Sequence, residues 1–153
     1  MCFKRTALQI AYQNGLRRCP CCNVQLVWKA NLDNIQKNLA TVDHMVARSF
    51  GGPDSVDNMY VMCRKCNEDR GNQCFVTFVV SNGVSKIEAE SLYKKAHIAS
   101  VRHLIGMLMN QAQNRTDRRK FKNNIRNVVK NYRQYFNDYL PEFDLLPREI
   151  CNG

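Results

Sequence analysis

The chain has 153 residues, and 44% of them are hydrophobic, so it can bury a core and global disorder is excluded. The formal net charge of +10 favours a polyanionic partner over a merely basic surface. We see no secretory leader and no run of 18 apolar residues, so we expect no membrane span and an intracellular, cytoplasmic protein.

The first predicted element is a short helix over residues 5–14, ended by Gly15 in the C′ position. A Cys-Pro-Cys-Cys motif follows at residues 19–22, and residues 24–28 have the composition of a strand. Residues 29–40 are polar, rich in Asn and Lys and only weakly periodic, so we predict a loop there.

The sequence of residues 40–73 predicts a strand, a loop, a second strand and a helix, in that order. The strands cover residues 40–44 and 58–62, and the loop at 49–57 contains the turn residues Gly-Gly-Pro-Asp. A helix is expected from residue 66 to about 73.

The remainder of the chain is mainly helical in composition. Residues 74–80 favour a strand by propensity, but a buried helix fits nearly as well, because short apolar runs do not discriminate. We expect helices at about 88–112 and 117–139, then Pro141 as a stop and an extended tail.

Two cysteine pairs have the spacing of metal knuckles: Cys19 with Cys22, and Cys63 with Cys66. In an intracellular protein such pairs more often bind metal than form disulfides. A site with four thiolates is closed, so we predict a structural Zn²⁺. Cys21 also lies in the first knuckle, and whether it replaces Cys19 or Cys22 stays open at this point.

Between the two cysteine pairs lie residues suited to phosphodiester hydrolysis. Asp43 and His44 are adjacent on a predicted strand, so their side chains point to opposite faces. One can bind a cation while the other, as neutral histidine, accepts a proton from water. Asn67 directly follows the last cysteine and adds a second oxygen ligand, a donor set that suits Mg²⁺.

Together with the Gly51-Gly52 loop, Asn58 and the segment Cys-x-x-Cys-Asn-x-x-Arg-Gly at 63–71, this pattern resembles the HNH, or ββα-metal, endonuclease family. The resemblance covers roughly residues 10–73. The third motif position is Asn67 instead of histidine, which makes an H-N-N variant that other family members share.

The resemblance implies a metal-dependent DNA endonuclease. It implies His44 as the general base, Asp43 and Asn67 as ligands of a catalytic Mg²⁺ for which Mn²⁺ can substitute, and Asn58 as the residue that pins the loop orienting the base. It also implies products with a 5′ phosphate and a 3′ hydroxyl.

For the fold we expect an α+β protein. A zinc-stapled ββα-metal nuclease core should occupy residues 1–80, and a helical, basic C-terminal region residues 81–153. Small HNH proteins include homing, restriction, junction-cleaving and packaging enzymes, and we favour a homing-like or phage-type enzyme, in the latter case acting in a phage-infected bacterial cell.

Two groups of basic residues are candidates for contacts with the DNA phosphates. The first surrounds the dyad and the second knuckle: Arg48, Arg64, Lys65 and Arg70. The second is a run of eight bases with one acid over residues 115–135, for which we predict a sequence-independent grip that includes Arg118, Arg119, Lys120 and Lys122.

The last predicted helix also carries aromatic residues that we interpret as a packing stripe with its aliphatic positions: Ile125, Val128, Val129, Tyr132, Tyr135, Phe136 and Tyr139. The same stripe could instead form a homodimer interface.

Two other functions compete with the endonuclease. A catalytically silent zinc module could bind nucleic acid only, but it would need none of Asp43, His44 and Asn67. A zinc-stabilised protein-interaction domain is the third alternative, and it would make the basic surface incidental.

Overall fold

A computed structural model of the protein describes residues 3–30, 36–110 and 115–136. Within these ranges the chain forms the predicted mixed α+β fold, which here has a two-stranded antiparallel sheet and five helices. The elements in chain order are α1 (Phe3–Gln13), β1 (Ala40–His44), β2 (Met59–Cys63), α2 (Arg64–Arg70), α3 (Phe75–Ser81), α4 (Lys86–Asn110) and α5 (Arg115–Tyr135). Short 3₁₀ turns lie at Arg48–Phe50 and Val56–Asn58.

Helix α1 ends at the glycine that the sequence predicts. Gly15 has a φ of 82°, a left-handed conformation that favours glycine. The Leu16 N–H donates to the Ala11 carbonyl at 3.0 Å, which satisfies a carbonyl at the end of the helix. On its inner side α1 buries Ala7 and packs on the sheet.

The sheet and α2 form a ββα unit, as predicted. The register pairs Ala40 with Cys63 and His44 with Met59. Helix α2 follows β2 without a connecting loop, because Cys63 is its N-cap residue and the Cys63 Sγ accepts from the Cys66 N–H at 3.4 Å. The end of β2 and the first turn of α2 therefore hold the second cysteine pair.

Residues 24–28 do not form the predicted strand. Gln25 and Val27 make only isolated bridges, to Arg18 and Leu39 respectively. The backbone here closes the turn of the first knuckle, with the Leu26 N–H donating to the Arg17 carbonyl at 2.9 Å. Part of the loop predicted at 29–40, residues 31–35, lies outside the described residues.

The strand interpretation of residues 74–80 is wrong, and the helical alternative is confirmed by α3. Its buried residues Phe75, Val76, Phe78 and Val79 have helical spacing, and α3 packs on α4. Packing against a helix therefore overrides the β propensity of this run, as it often does.

Helices α4 and α5 pack along their length in opposite directions, since Tyr93 contacts Phe136 and His97 contacts Tyr132. The packing stripe of α5 is confirmed for its described members, of which Ile125, Val128, Val129 and Tyr132 are buried. These four side chains are covered within the chain, so they offer no surface to a second copy. The side chain of Tyr135, the predicted helix end at Tyr139, the stop at Pro141 and the tail lie outside the described residues.

A single cluster of buried side chains runs from Cys19 in the first knuckle to Tyr132 in α5. The cluster therefore includes residues on both sides of position 80. The division into residues 1–80 and 81–153 that the sequence suggests stays a prediction. No helix in the described part of the chain is long and apolar enough to cross a membrane.

Candidate functional site

Four cysteines converge where the first knuckle meets the β2–α2 junction. The Sγ atoms of Cys19, Cys22, Cys63 and Cys66 all lie within 4.8 Å of one another, and those of Cys22 and Cys63 are 3.6 Å apart. Tetrahedral zinc with bonds of about 2.3 Å requires a sulfur–sulfur separation of about 3.8 Å. The four thiols are thus positioned to hold one metal ion, and Cys21 is not part of this group.

The electrostatics of the thiols fit a bound dication. Burial raises the pKa of Cys63 to about 11 and also raises the pKa of Cys66, so both resist ionisation as free thiols. A hydrogen bond with Cys21 lowers the pKa of Cys19 to about 4, which favours its thiolate. A coordinated metal deprotonates cysteine ligands outright, so zinc would relieve the cost of burying these groups.

His44, at the end of β1, pairs with a carboxylate that the sequence analysis did not single out. Its Nε2 lies 2.7 Å from Asp54 Oδ1, and the Arg48 Nη2 lies 3.5 Å from Asp54 Oδ2. The hydrogen bond with His44 lowers the pKa of the Asp54 carboxyl below its ordinary value. Because a carboxylate accepts hydrogen bonds, Asp54 favours the tautomer with hydrogen on Nε2, which leaves a lone pair on Nδ1.

The loop that carries Asp54 is fixed by Asn58, whose side chain is fully buried. Asn58 Oδ1 accepts from the Val46 N–H at 2.8 Å, and its Nδ2 donates to the Val46 and Pro53 carbonyls at 3.0 Å each. A Cβ on Gly52 would lie 1.9 Å from the Val46 carbonyl oxygen, so only glycine fits there. These contacts hold the loop against the end of β1.

Asp43 points to the opposite face of β1, where α2 packs. Arg70 of α2 is only 6% exposed and donates through Nε and Nη2 to the two carboxylate oxygens of Asp43, a bidentate pair. Arg70 also donates to the carbonyls of His44 at 3.0 Å and Gln73 at 2.7 Å. This burial does not agree with the phosphate contact predicted for Arg70, whose guanidinium instead orients Asp43.

Asn67 lies three residues before Arg70 and therefore on the same face of α2. Its Nδ2 donates to Thr41 Oγ1 at 3.1 Å and contacts the Val42 carbonyl at 3.4 Å. Thr41 shares a face of β1 with Asp43, so the fold brings the side chains of Asp43 and Asn67 to the same face of the ββα unit.

The oxygens of these two side chains fit a Mg²⁺ ion. The amide nitrogen of Asn67 contacts the strand, so its side-chain oxygen is the atom that could coordinate a cation. Each oxygen of Asp43 retains a second lone pair beside the one that Arg70 occupies. Mg²⁺ commonly takes one or two such ligands and completes its shell with water and substrate phosphate.

The other predicted basic residues differ in their surroundings. Arg64 pairs with Glu68 at 3.4 Å and Lys65 with Asp69, so α2 neutralises much of its own exposed charge. Arg48 is exposed beside Asp54.

Helix α5 contacts the loop that carries Arg48 on one side and carries a larger basic face on another. A Cβ on Gly51 would lie 3.4 Å from the Cβ of Asn124, and α5 contacts the turn at Arg48–Phe50. Seven bases of α5 share one face by their spacing of three and four, and we call them the α5 basic face: Arg115, Arg118, Arg119, Lys122, Arg126, Lys130 and Arg133. Lys120 is exposed one helical turn before Asn124, on the same side of α5.

Comparison with known families agrees with this geometry. Residues 19–73 match the family described as HNH endonuclease, a span that includes the four cysteines and all four predicted catalytic residues. No curated protein and no solved structure matches the chain. Residues 19–73 therefore form an HNH endonuclease domain whose four cysteines are positioned to make a metal site.

Proposed function

We propose that this protein is a metal-dependent DNA endonuclease that hydrolyses phosphodiester bonds. The single observation that carries the proposal is the pairing of His44 with Asp54 at the end of β1, while the side chains of Asp43 and Asn67 share the other face of the strand. Binding to DNA alone would need neither arrangement, and both lie within the residues that match the HNH endonuclease family.

His44 acts as the general base in this proposal. With Nε2 bonded to Asp54, its Nδ1 accepts the proton of the attacking water. The negative charge of Asp54 then lies beside the imidazolium that forms, so the carboxylate stabilises the product of proton transfer as well as the orientation of the ring. Asn58 keeps this carboxylate in place through the loop backbone.

Asp43 and Asn67 would hold the catalytic Mg²⁺, for which Mn²⁺ can substitute. When bound, the ion supplies stabilisation of the charge on the phosphoryl oxygens and on the leaving 3′ oxygen. Arg70 fixes the Asp43 carboxylate through two hydrogen bonds, so one ligand is oriented before any ion arrives. The four cysteines would hold a structural Zn²⁺.

Arg48, the α5 basic face and Lys120 would hold the DNA backbone, with smaller contributions from Arg64 and Lys65. Eight bases stand against one acid along α5, and Arg48 is exposed beside Asp54 in the loop that orients the base. A phage-type or homing-like role, and a homodimer that uses other surfaces of the C-terminal helices, extend this proposal.

A plasmid-cleavage assay tests the proposed function. Supercoiled DNA should be nicked or linearised in Mg²⁺ and stay intact without it, and the products should be ligatable, as a 5′ phosphate and a 3′ hydroxyl require. DNA that shifts in a gel but is not cleaved with Mg²⁺ or Mn²⁺ would favour the silent binding module. Absence of any DNA affinity would favour the protein-interaction domain.

A further inference from the structure

A cavity of about 400 Å³ lies beside the candidate catalytic residues and is not used by the chemistry described above. It is bounded by the loop after β1, the connection between α2 and α3, and one face each of α4 and α5. Met45, the residue after His44, lines it, and so does Arg70, which donates to the His44 carbonyl. Its volume is in the range of about 300–1,000 Å³ that is typical of pockets for small organic groups.

Aromatic rings form part of its wall. Phe75 and Tyr93 are buried with their ring centroids 5.9 Å apart and their planes 29° apart. Phe50, at the rim, is 47% exposed, although most large apolar side chains of this loop region are covered. An exposed ring beside a cavity of this kind provides a surface on which another flat ring can stack.

Neutral amides form much of the polar part of the wall. Asn72 and Gln73 follow α2, and Asn131 lies on α5 in a row with Asn124 and Asn127. Gln73 Nε2 donates to the Asp69 carbonyl at 3.1 Å, which leaves its side-chain oxygen as an acceptor. Amide groups donate and accept together, which is how asparagine and glutamine recognise the edges of nucleobases.

The cavity is poorly suited to a phosphate. Among the described residues that line it, Arg70 alone carries a charge, and Asp43 neutralises that charge. The exposed bases Arg48 and Lys120 lie outside it. A nucleic acid whose backbone follows those bases would therefore present a neutral ring, and no anionic group, to the cavity.

We propose that this cavity receives one unstacked nucleobase of the DNA substrate, close to the phosphodiester bond that is cleaved. The inference rests on the proposed function and deepens it, because it names the preferred substrate as DNA with an unpaired or extruded nucleotide. Phe50 stacks on the base, and Asn72, Gln73 and Asn131 hydrogen-bond its edge.

The test compares two ligands with equal charge. One is a single-stranded oligonucleotide of about ten nucleotides, and the other is a sugar–phosphate strand of the same length without bases, a length within the usual footprint of single-strand sites. Their affinities are measured by fluorescence anisotropy for the wild type, Phe50→Ala and Asn131→Leu. Ile87→Ala is the matched control, because Ile87 is an apolar residue of α4 that is 82% exposed and does not line the cavity.

The wild type should bind the strand with bases about tenfold to a hundredfold more tightly than the strand without them. Phe50→Ala should lose most of that ratio, with unchanged affinity for the baseless strand, and Ile87→Ala should keep it. Equal affinity of the wild type for both strands would overturn the base pocket while leaving the endonuclease intact if plasmid is still cleaved. A protein that binds neither strand and also fails to cleave plasmid would overturn both proposals.

Discussion

The orientation of His44 depends on Asp54, a residue ten positions later in the chain. The His44 side chain is only 12% exposed and Asp54 is 44% exposed, so the pair lies at the edge of the protein where water can reach the ring. In the proposed mechanism Asp54 acts through His44 and touches no reacting atom. It is therefore a positioning residue, and the effect of changing it should differ from that of changing the base.

Asp54→Asn should lower turnover about tenfold to a hundredfold, the range found when a residue that orients a functional histidine is removed. The amide loses the negative charge that favours one tautomer of His44 and stabilises its protonated form. Cleavage rates at saturating Mg²⁺ measure the effect. Asp57→Asn, the same change at an exposed position in the same loop, is the control and should be near wild type.

Asp54→Glu separates positioning from folding, because it restores the carboxylate on a longer side chain. It should recover part of the activity lost in Asp54→Asn. Equal activity of the wild type, Asp54→Asn and Asp54→Glu would show that His44 does not need this partner.

The sequence alone indicates four candidate site residues because their order and spacing are local properties of one motif: Asp43, His44, Asn58 and Asn67. The partners of these residues could not be predicted in this way. Asp54 reaches His44 through the conformation of a loop, for which the Gly-Gly-Pro-Asp turn is the only sequence signal.

The partner of Arg70 could not be predicted from the sequence either. A basic residue at the end of α2 suggests a phosphate contact, but the packing of α2 on β1 buries its guanidinium against Asp43. Tertiary packing decides whether such an arginine pairs with a carboxylate of the protein or with a phosphate of the DNA.

At the scale of elements, the interface between α4 and α5 contains a histidine, His97, that is fully buried. His103, six residues later on the same helix, is exposed. The ring of His97 packs edge-on against Tyr93 and Tyr132, and neither nitrogen makes a hydrogen bond with a described residue. Burial lowers the pKa of His97 to about 4, although an interaction with the Val128 backbone opposes the shift.

This histidine should make stability depend on pH. Between the ordinary histidine pKa of about 6.5 and the folded value of about 4, the unfolded chain binds a proton that the folded chain does not. The contribution of His97 is therefore fully present above the unfolded pKa and is lost as the pH falls through this window, by at most about 1.4 kcal/mol per pH unit.

Urea unfolding of the wild type, His97→Leu and His103→Leu between pH 7.5 and 4.5 measures this dependence. His97→Leu should have a flatter profile than the wild type, whereas His103→Leu, at an exposed position, should follow the wild type. Parallel profiles for all three proteins would mean that His97 is protonated in the folded state.

The C-terminal helix should determine the salt dependence of DNA binding. Neutralising Arg118, Arg119, Lys120 and Lys122 should weaken binding to all sequences and reduce the slope of log affinity against log salt by about 0.9 for each DNA phosphate that is no longer neutralised. Titrations at several salt concentrations measure this slope.

A control with the same charge change elsewhere neutralises Lys29, Lys37, Lys86 and Lys95, which lie outside α5. It should keep the wild-type slope. If both quadruple variants behave alike, α5 contributes only net charge. The contacts with the DNA phosphates must then come from Arg48, Arg64 and Lys65.

Elements were predictable where local signals agreed. Strand β1 was found at its observed bounds and α1 at its glycine, because both combine periodicity with a clear stop. Residues 24–28 and 74–80 were harder, because a short apolar run takes its conformation from its neighbours.

At the scale of the whole molecule, the four cysteines connect the segment after α1 with the β2–α2 junction. In the described part of the chain the sheet has two strands, and an isolated pair of strands is marginally stable in water. A metal bound at the cysteines would therefore contribute folding free energy to the core on which Asp43, His44 and Asn67 are placed.

Cys66→Ser should lose bound zinc and unfold the nuclease core, since the metal-site free energy is folding free energy in a unit of this kind. Circular dichroism and a colorimetric zinc assay measure the two effects. Cys21→Ser is the control: Cys21 lies in the same knuckle but outside the four-thiol group, so this variant should retain zinc. A folded, metal-free Cys66→Ser protein would refute the structural role of the metal.

In the proposed mechanism, cleavage of DNA depends on His44 as the general base. The most direct measurement is the rate of plasmid cleavage by His44→Ala relative to wild type at saturating Mg²⁺, with zinc content and DNA affinity measured on the same preparations. We expect a loss of about 10²- to 10⁴-fold in rate, with zinc content and DNA affinity unchanged, because only the proton acceptor is removed. Cleavage by His44→Ala at a rate near that of the wild type would contradict it.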